Sequence, residues 1–161
     1  MWVVVTVVAL VVLVATYLTW LATRVDRLHA RAAAAYSALD AQSVRRAAAA
    51  VEVGDREGLT DVQIAGRAVL GAHPDDRETA ENDLTRALRA VAGKVDLAGP
   101  PGVEEASRRL ALARQVHADL VRDALAVRRR RIVRLLRLAR RHNPAPRFFD
   151  IDAPTLDDPH R

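Results

Sequence analysis

The chain has 161 residues, with 25 basic against 20 acidic side chains and a formal net charge of +5, and every basic residue except Lys94 is Arg. It holds no Cys and only two each of Trp, Tyr and Phe, which argues against thiolate metal sites and against a nucleic-acid stacking platform of exposed rings. Its Ala, Leu and Arg content favours helices throughout, and zero Cys fits a reducing compartment.

Met1 to Thr23 contain no charged side chain, eight Val and four Leu. At about 1.5 Å per residue such a helix crosses a hydrocarbon core of roughly 30 Å. A signal peptide would need a basic n-region and a shorter apolar core. A buried core helix apolar on every side would need a larger protein around it. The segment therefore reads as a single transmembrane helix, with Trp2 at one interface and Tyr17 and Trp20 at the other. Arg24 and Arg27 complete the second interface. No Lys or Arg precedes the span and Arg24, Arg27 and Arg31 follow it. The positive-inside rule then places the N-terminus outside and the remainder in the cytoplasm of a single-pass cell-membrane protein.

Beyond the anchor, helical spacing runs unbroken to about Val53, with Gly54 as the expected cap and Leu28, Ala32, Ala35 or Tyr36, Leu39 and Ser43 on one face. Thr60 with Gln63 reads as a capping box opening a helix over 61–72, with Val62, Ala65, Ala68 and Val69 inward. After His73-Pro74, a third helix is expected from Asp76 or Arg77 to about Val95, its apolar stripe being Ala80, Leu84, Ala87, Leu88 and Val91. Gly99-Pro100-Pro101-Gly102 then punctuates the chain, and a fourth helix is expected from Val103 to His142 with Ala106, Leu110, Ala113, His117, Leu120 and Ala124 along its seam. The fold class is accordingly all-α: one N-terminal transmembrane helix continuous with an antiparallel bundle of about four long helices. The expected domains are a 1–23 anchor, a 24–142 bundle and a 143–161 extended tail, whose Phe148, Phe149 and Ile151 can fold back on the bundle.

Residues 128–141 include eight Arg, and Arg130, Arg134, Arg137 and Arg141 share one helical face, a candidate contact for anionic lipid or a polyanion. The bland alternative is a solvated face at the negative end of a helix dipole. Asp40, Gln42, Arg45 and Arg46 form a polar group expected to build an interhelical network rather than a binding site. The five His fall in no paired ligand spacing, and His117, on an apolar seam, reads as a core histidine. Neither a P-loop nor a dinucleotide fingerprint is present. No catalytic residue, cofactor, metal or small-molecule substrate is expected; the expected partners are the membrane, an unidentified protein and anionic lipid, with self-association as a further option.

Three stretches resemble the LemA family. Tyr36-Ser37-Ala38-Leu39-Asp40-Ala41-Gln42-Ser43-Val44-Arg45-Arg46 is similar to its aromatic, Asp-x-Gln and Arg-Arg pattern. Ala80-Glu81-Asn82-Asp83-Leu84-Thr85-Arg86-Ala87-Leu88 is similar to its Ala-Glu-Asn-x-Leu-x-x-Ala-Leu, and Ala113-Arg114 with Asp119, Val121, Arg122 and Asp123 to its last helix. The chain departs from the family at His117-Ala118 and Ala124-Leu125, where relatives carry Tyr-Asn, and at Ala47 to Val53, which replace an Ile-Pro-Asn stretch. As a divergent member it would be a single-pass membrane protein with a helical, coiled-coil-like cytoplasmic bundle. The resemblance carries over no catalytic activity, so the function expected is that of a protein-interaction or scaffold module; the alternative is lipid or polyanion binding.

Overall fold

A computed structural model describes residues 1–100, 102–129 and 149–156. Four helices and no strand occur among them: α1 (Trp2–Glu57), α2 (Thr60–Gly71), α3 (Arg77–Val91) and α4 (Val103–Arg128). The chain is an all-α helical bundle with one long apolar N-terminal helix. The expected extension of the fourth helix to His142 lies outside the described residues. The chain divides into two compact units, one of residues 1–34 with 119–147 and one of residues 35–118 with 148–161.

In the first unit, α1 from Trp2 to Trp20 exposes its surface almost throughout, and a stretch within it averages a hydropathy of 2.5 with no residue buried. By length and composition it is able to cross a membrane. Its threonines and the next one along are turned onto the helix backbone: Thr6, Thr16, Thr19 and Thr23 each donate to the carbonyl four residues back at 2.9 Å. Their polarity is thereby satisfied without water, which an apolar solvent requires. Leu21, assigned to the anchor by composition, is instead buried with Val25 and Val127 beside half-buried Leu28. An uncharged side chain suits lipid and protein interiors alike, so the apolar run by itself does not mark where packing begins.

The second unit has its core where α1, α2 and α3 meet: Ala47, Ala50 and Val53, Val62 and Val69, and Leu84 and Leu88, joined by Leu97 and Val103. Each buried Val or Leu contributes about 1.5–3 kcal/mol. The small residues of α1 let α2 come close. At Gly66 a Cβ would stand 2.8 Å from Val51 Cγ2 and 3.0 Å from the Ala47 carbonyl oxygen. Gly66 is accordingly buried, whereas Ala68, expected inside, is exposed.

Helix ends differ from expectation for identifiable reasons. Gly54 is no cap: α1 runs on to Glu57, and Gly54 is small because a Cβ there would lie 2.9 Å from the Gln63 backbone nitrogen. The turn is made at Gly58, whose φ of 68° is left-handed, while the Leu59 N–H reaches back 2.8 Å to the Gly54 carbonyl in a Schellman-type ending. The Thr60–Gln63 capping box does not form. Leu59 occupies the cap position with no side-chain bond, and Gln63 Nε2 donates to Asp55 Oδ1 on α1. α3 stops at Val91, short of Val95, because the chain turns left-handed at Gly93 (φ 79°). Along α4 the buried positions are Val103, Ser107, Leu110, His117, Val121, Ala124 and Val127; Ala106, Ala113 and Leu120, expected on the seam, are half-buried.

Residues 149–156 lie along the second unit. Phe149 and Ile151 pack with Leu39 and Leu110, and Leu156 packs against the main core. The Asp152 N–H donates to Asn82 Oδ1 at 2.8 Å, and the Ala153 carbonyl accepts from Arg89. Phe148 lies outside the described residues.

Candidate functional site

The chemistry of the second unit is concentrated at Arg46, which is fully buried. It stands there because the apolar stripe of α1, Leu39, Ser43, Arg46, Ala50 and Val53, steps by four and three residues and carries the guanidinium inward with it. Arg46 Nη1 donates to Glu81 Oε2 at 2.8 Å and to Thr85 Oγ1 at 3.0 Å, both on α3. Its Nε donates to Ser107 Oγ of α4 at 3.0 Å, and its Nη2 to the Pro154 carbonyl at 3.5 Å. The second oxygen of Glu81 accepts from Ser43, and Thr85 donates onward to the Glu81 carbonyl at 2.9 Å. One guanidinium thus ties together α1, α3, α4 and the C-terminal segment. Burial lowers the Arg46 pKa, and the Glu81 carboxylate pulls it back up. The cost of desolvating both charges is partly offset by the four hydrogen bonds Arg46 donates and by one accepted at each Glu81 carboxylate oxygen.

The expected four-residue polar network is therefore replaced by a different one. Only Arg46 of the expected group belongs to it. Asp40 makes a separate interhelical pair with Arg77 at 3.2 Å, Gln42 is half-buried and Arg45 is exposed. Gln42 and Arg45 each sit one residue before a stripe position, about 100° around the helix from it. The members missed, Ser43, Glu81, Thr85 and Ser107, all stand at buried helical positions. Their signal was a polar residue at a core spacing, most visibly Ser43.

A tilted contact also joins Tyr36 to the buried His117, ring centroids 5.8 Å apart, and Phe149 meets Tyr36 edge-on at 6.2 Å. Burial lowers the His117 pKa, which favours the neutral imidazole.

In the first unit, three of the expected interface residues, Tyr17, Trp20 and Arg24, form a contiguous strip on one face of α1. Tyr17 stacks on Trp20 with centroids 6.1 Å apart, and the Arg24 guanidinium carbon lies 5.5 Å from the Trp20 ring centroid. Arg27 Nε donates to the Thr23 carbonyl at 3.3 Å. Trp2, 86% exposed, stands at the far end of the apolar stretch. An open cleft of about 230 Å³ is lined by Arg24, Arg27, Leu28 and Arg31. The other basic group, Arg130, Arg134, Arg137 and Arg141, lies outside the described residues.

Among the described residues no group of three His, Asp or Glu is placed to hold a metal ion. What the fold and these two features define is an α-helical bundle bearing one candidate membrane-spanning helix. No protein-family model, curated protein or solved structure matches the chain.

Proposed function

We propose that this chain is a single-pass membrane protein, N-terminus outside, whose cytoplasmic helical bundle is a non-catalytic interaction or scaffold module of LemA type. One observation carries the membrane reading. The apolar surface of α1 from Trp2 to Trp20 lies exposed, its threonine hydroxyls are satisfied internally, and it ends at a contiguous Tyr17, Trp20 and Arg24 strip. Orientation follows from Arg24, Arg27 and Arg31, which favour the cytoplasmic side. The family reading gains support from the meeting of two resembling stretches, since Arg46 of the first pairs with Glu81 of the second. The scaffold reading rests on outward apolar side chains on two helices, Ile64 and Leu70 of α2 and Leu112 and Val116 of α4, all more than 40% exposed.

Alkaline extraction of membranes containing the full chain, with reporter fusions at each end, tests the first part. Retention in the pellet with a cytoplasmic C-terminal reporter is expected; release into the supernatant overturns the anchor, and an external C-terminal reporter overturns the orientation. For the second part, cross-linking in intact cells should capture a specific protein, and capture should weaken when Leu112 and Val116 are changed to Ser. A full chain that cross-links to nothing specific, or captures equally with both positions changed, counts against the module.

A further inference from the structure

We propose that Arg24, Arg27 and Arg31 form a binding site for the phosphate headgroup of an anionic phospholipid; the proposal rests on the membrane reading of α1. At about 100° per residue, these three side chains and Leu28 fall within an arc of roughly 100° on the helix, with Asp26 on the far side. All three Arg are exposed, and with Leu28 they line an open cleft. Helical Cα–Cβ bonds tilt toward the N-terminus, so the Arg stems lean back toward the apolar stretch. Trp20 sets the depth. Its ring belongs at the headgroup level, and Arg24 is held against it at 5.5 Å. Arg27 commits its Nε to the Thr23 carbonyl, leaving its planar η nitrogens for a phosphate oxygen pair. Leu28, half-buried against Leu21, Val25 and Val127, forms the apolar wall of the cleft. A headgroup seated here lies in a cleft lined by three arginines, just beyond the ring that marks headgroup depth. The same chemistry would accept a soluble phosphate, but a cleft at that depth faces headgroups.

The test uses the full chain with Trp2→Phe, so that Trp20 alone reports, in vesicles of phosphatidylcholine and phosphatidylglycerol. Spin-labelled phosphatidylglycerol should quench Trp20 more strongly than spin-labelled phosphatidylcholine, with a relative association of about fivefold or more. That preference should fall close to one in Arg24→Gln/Arg27→Gln/Arg31→Gln. Should circular dichroism show lost helix in the triple variant, Arg27→Gln and Arg31→Gln are measured singly, and each should lower the preference. Equal quenching by the two lipids, or a preference that survives all the substitutions, overturns the site while leaving the span intact. Quenching by aqueous acrylamide with none by either lipid overturns the membrane reading itself. Inorganic phosphate that changes Trp20 emission in pure phosphatidylcholine, and abolishes the phosphatidylglycerol preference, assigns the cleft to a soluble anion and overturns the lipid.

Discussion

Arg46 and Glu81 meet at 2.8 Å with both side chains wholly buried, thirty-five positions apart in the chain and on different helices. A buried ion pair is a poor source of net stability but a strict condition on geometry, because either charge left alone inside is far costlier than the pair. Arg46→Met or Glu81→Leu alone should therefore destabilise by about 3–5 kcal/mol, while Arg46→Met/Glu81→Leu should recover much of that loss. Thermal denaturation of the detergent-solubilised full chain, followed by circular dichroism, reads this as a fall of roughly 10 °C for each single change. A double variant no more stable than the worse single one would show that the bonds from Arg46 to Thr85, Ser107 and Pro154 matter more than the charge pair.

Gly66 is one of the places where α2 approaches α1 closely, its missing Cβ leaving room for Val51 Cγ2 and the Ala47 carbonyl. Gly66→Ala raises helix propensity by about 1 kcal/mol, yet the contact at 2.8 Å forces the helices apart. Overpacking of this kind costs about 1–3 kcal/mol, so net destabilisation is expected, and Gly66→Ala/Val51→Ala should relieve the part of it that comes from the Val51 side chain. Gly71 provides the control. A Cβ there meets nothing within 4 Å, and Gly71→Ala should be neutral or stabilising in the same melting experiment.

Periodicity made the helices and most of the α1 stripe legible, because apolar spacing is a property of each helix alone. The ends were less so. Gly54 and Gly58 both suit a helix terminus, and only the approach of Gln63 shows that Gly54 serves packing while Gly58, at a φ of 68°, serves the turn. The polar core was legible in spacing and hidden by composition. Leu39, Ser43, Arg46, Ala50 and Val53 keep one face, but an Arg on that face is ordinarily assigned to solvent, and its acceptors lie in α3 and α4. Ser107 displaced Ala106 from the expected seam for the same reason: a serine reads as surface until its partner is known.

His117 gives stability a sign with pH. Burial lowers its pKa in the folded chain, so the unfolded chain takes up the proton first as pH falls. The unfolded state then binds more protons, and stability increases with pH across this window. The His117 contribution is undiminished above about pH 7.5 and is lost progressively as pH drops through the ordinary histidine range near 6.5 toward the lower folded value. Urea midpoints at pH 7.5 and 5.5 should differ less in His117→Gln than in the unaltered chain. An equal difference would place the pH dependence on other groups.

The C-terminal segment is the last element on which the second unit depends. Phe149 is 8% and Ile151 3% exposed, packed with Leu39 and Leu110, and the Pro154 carbonyl accepts from Arg46. Burying a Phe normally takes a scaffold, and here the segment is held by its own backbone bonds to Asn82 and Arg89. Phe149→Ala should cost about 3 kcal/mol or more and lower the melting temperature by roughly 10 °C. Asn82→Ala removes one of those backbone bonds and should cost about 1 kcal/mol while loosening the segment. Limited proteolysis separates the two effects: Asn82→Ala should speed cleavage ahead of Ile151 with the helices intact, whereas Phe149→Ala should expose α1 and α4 as well. Cleavage rates indistinguishable from those of the unaltered chain in both variants would mean that the segment does not cover the bundle in solution.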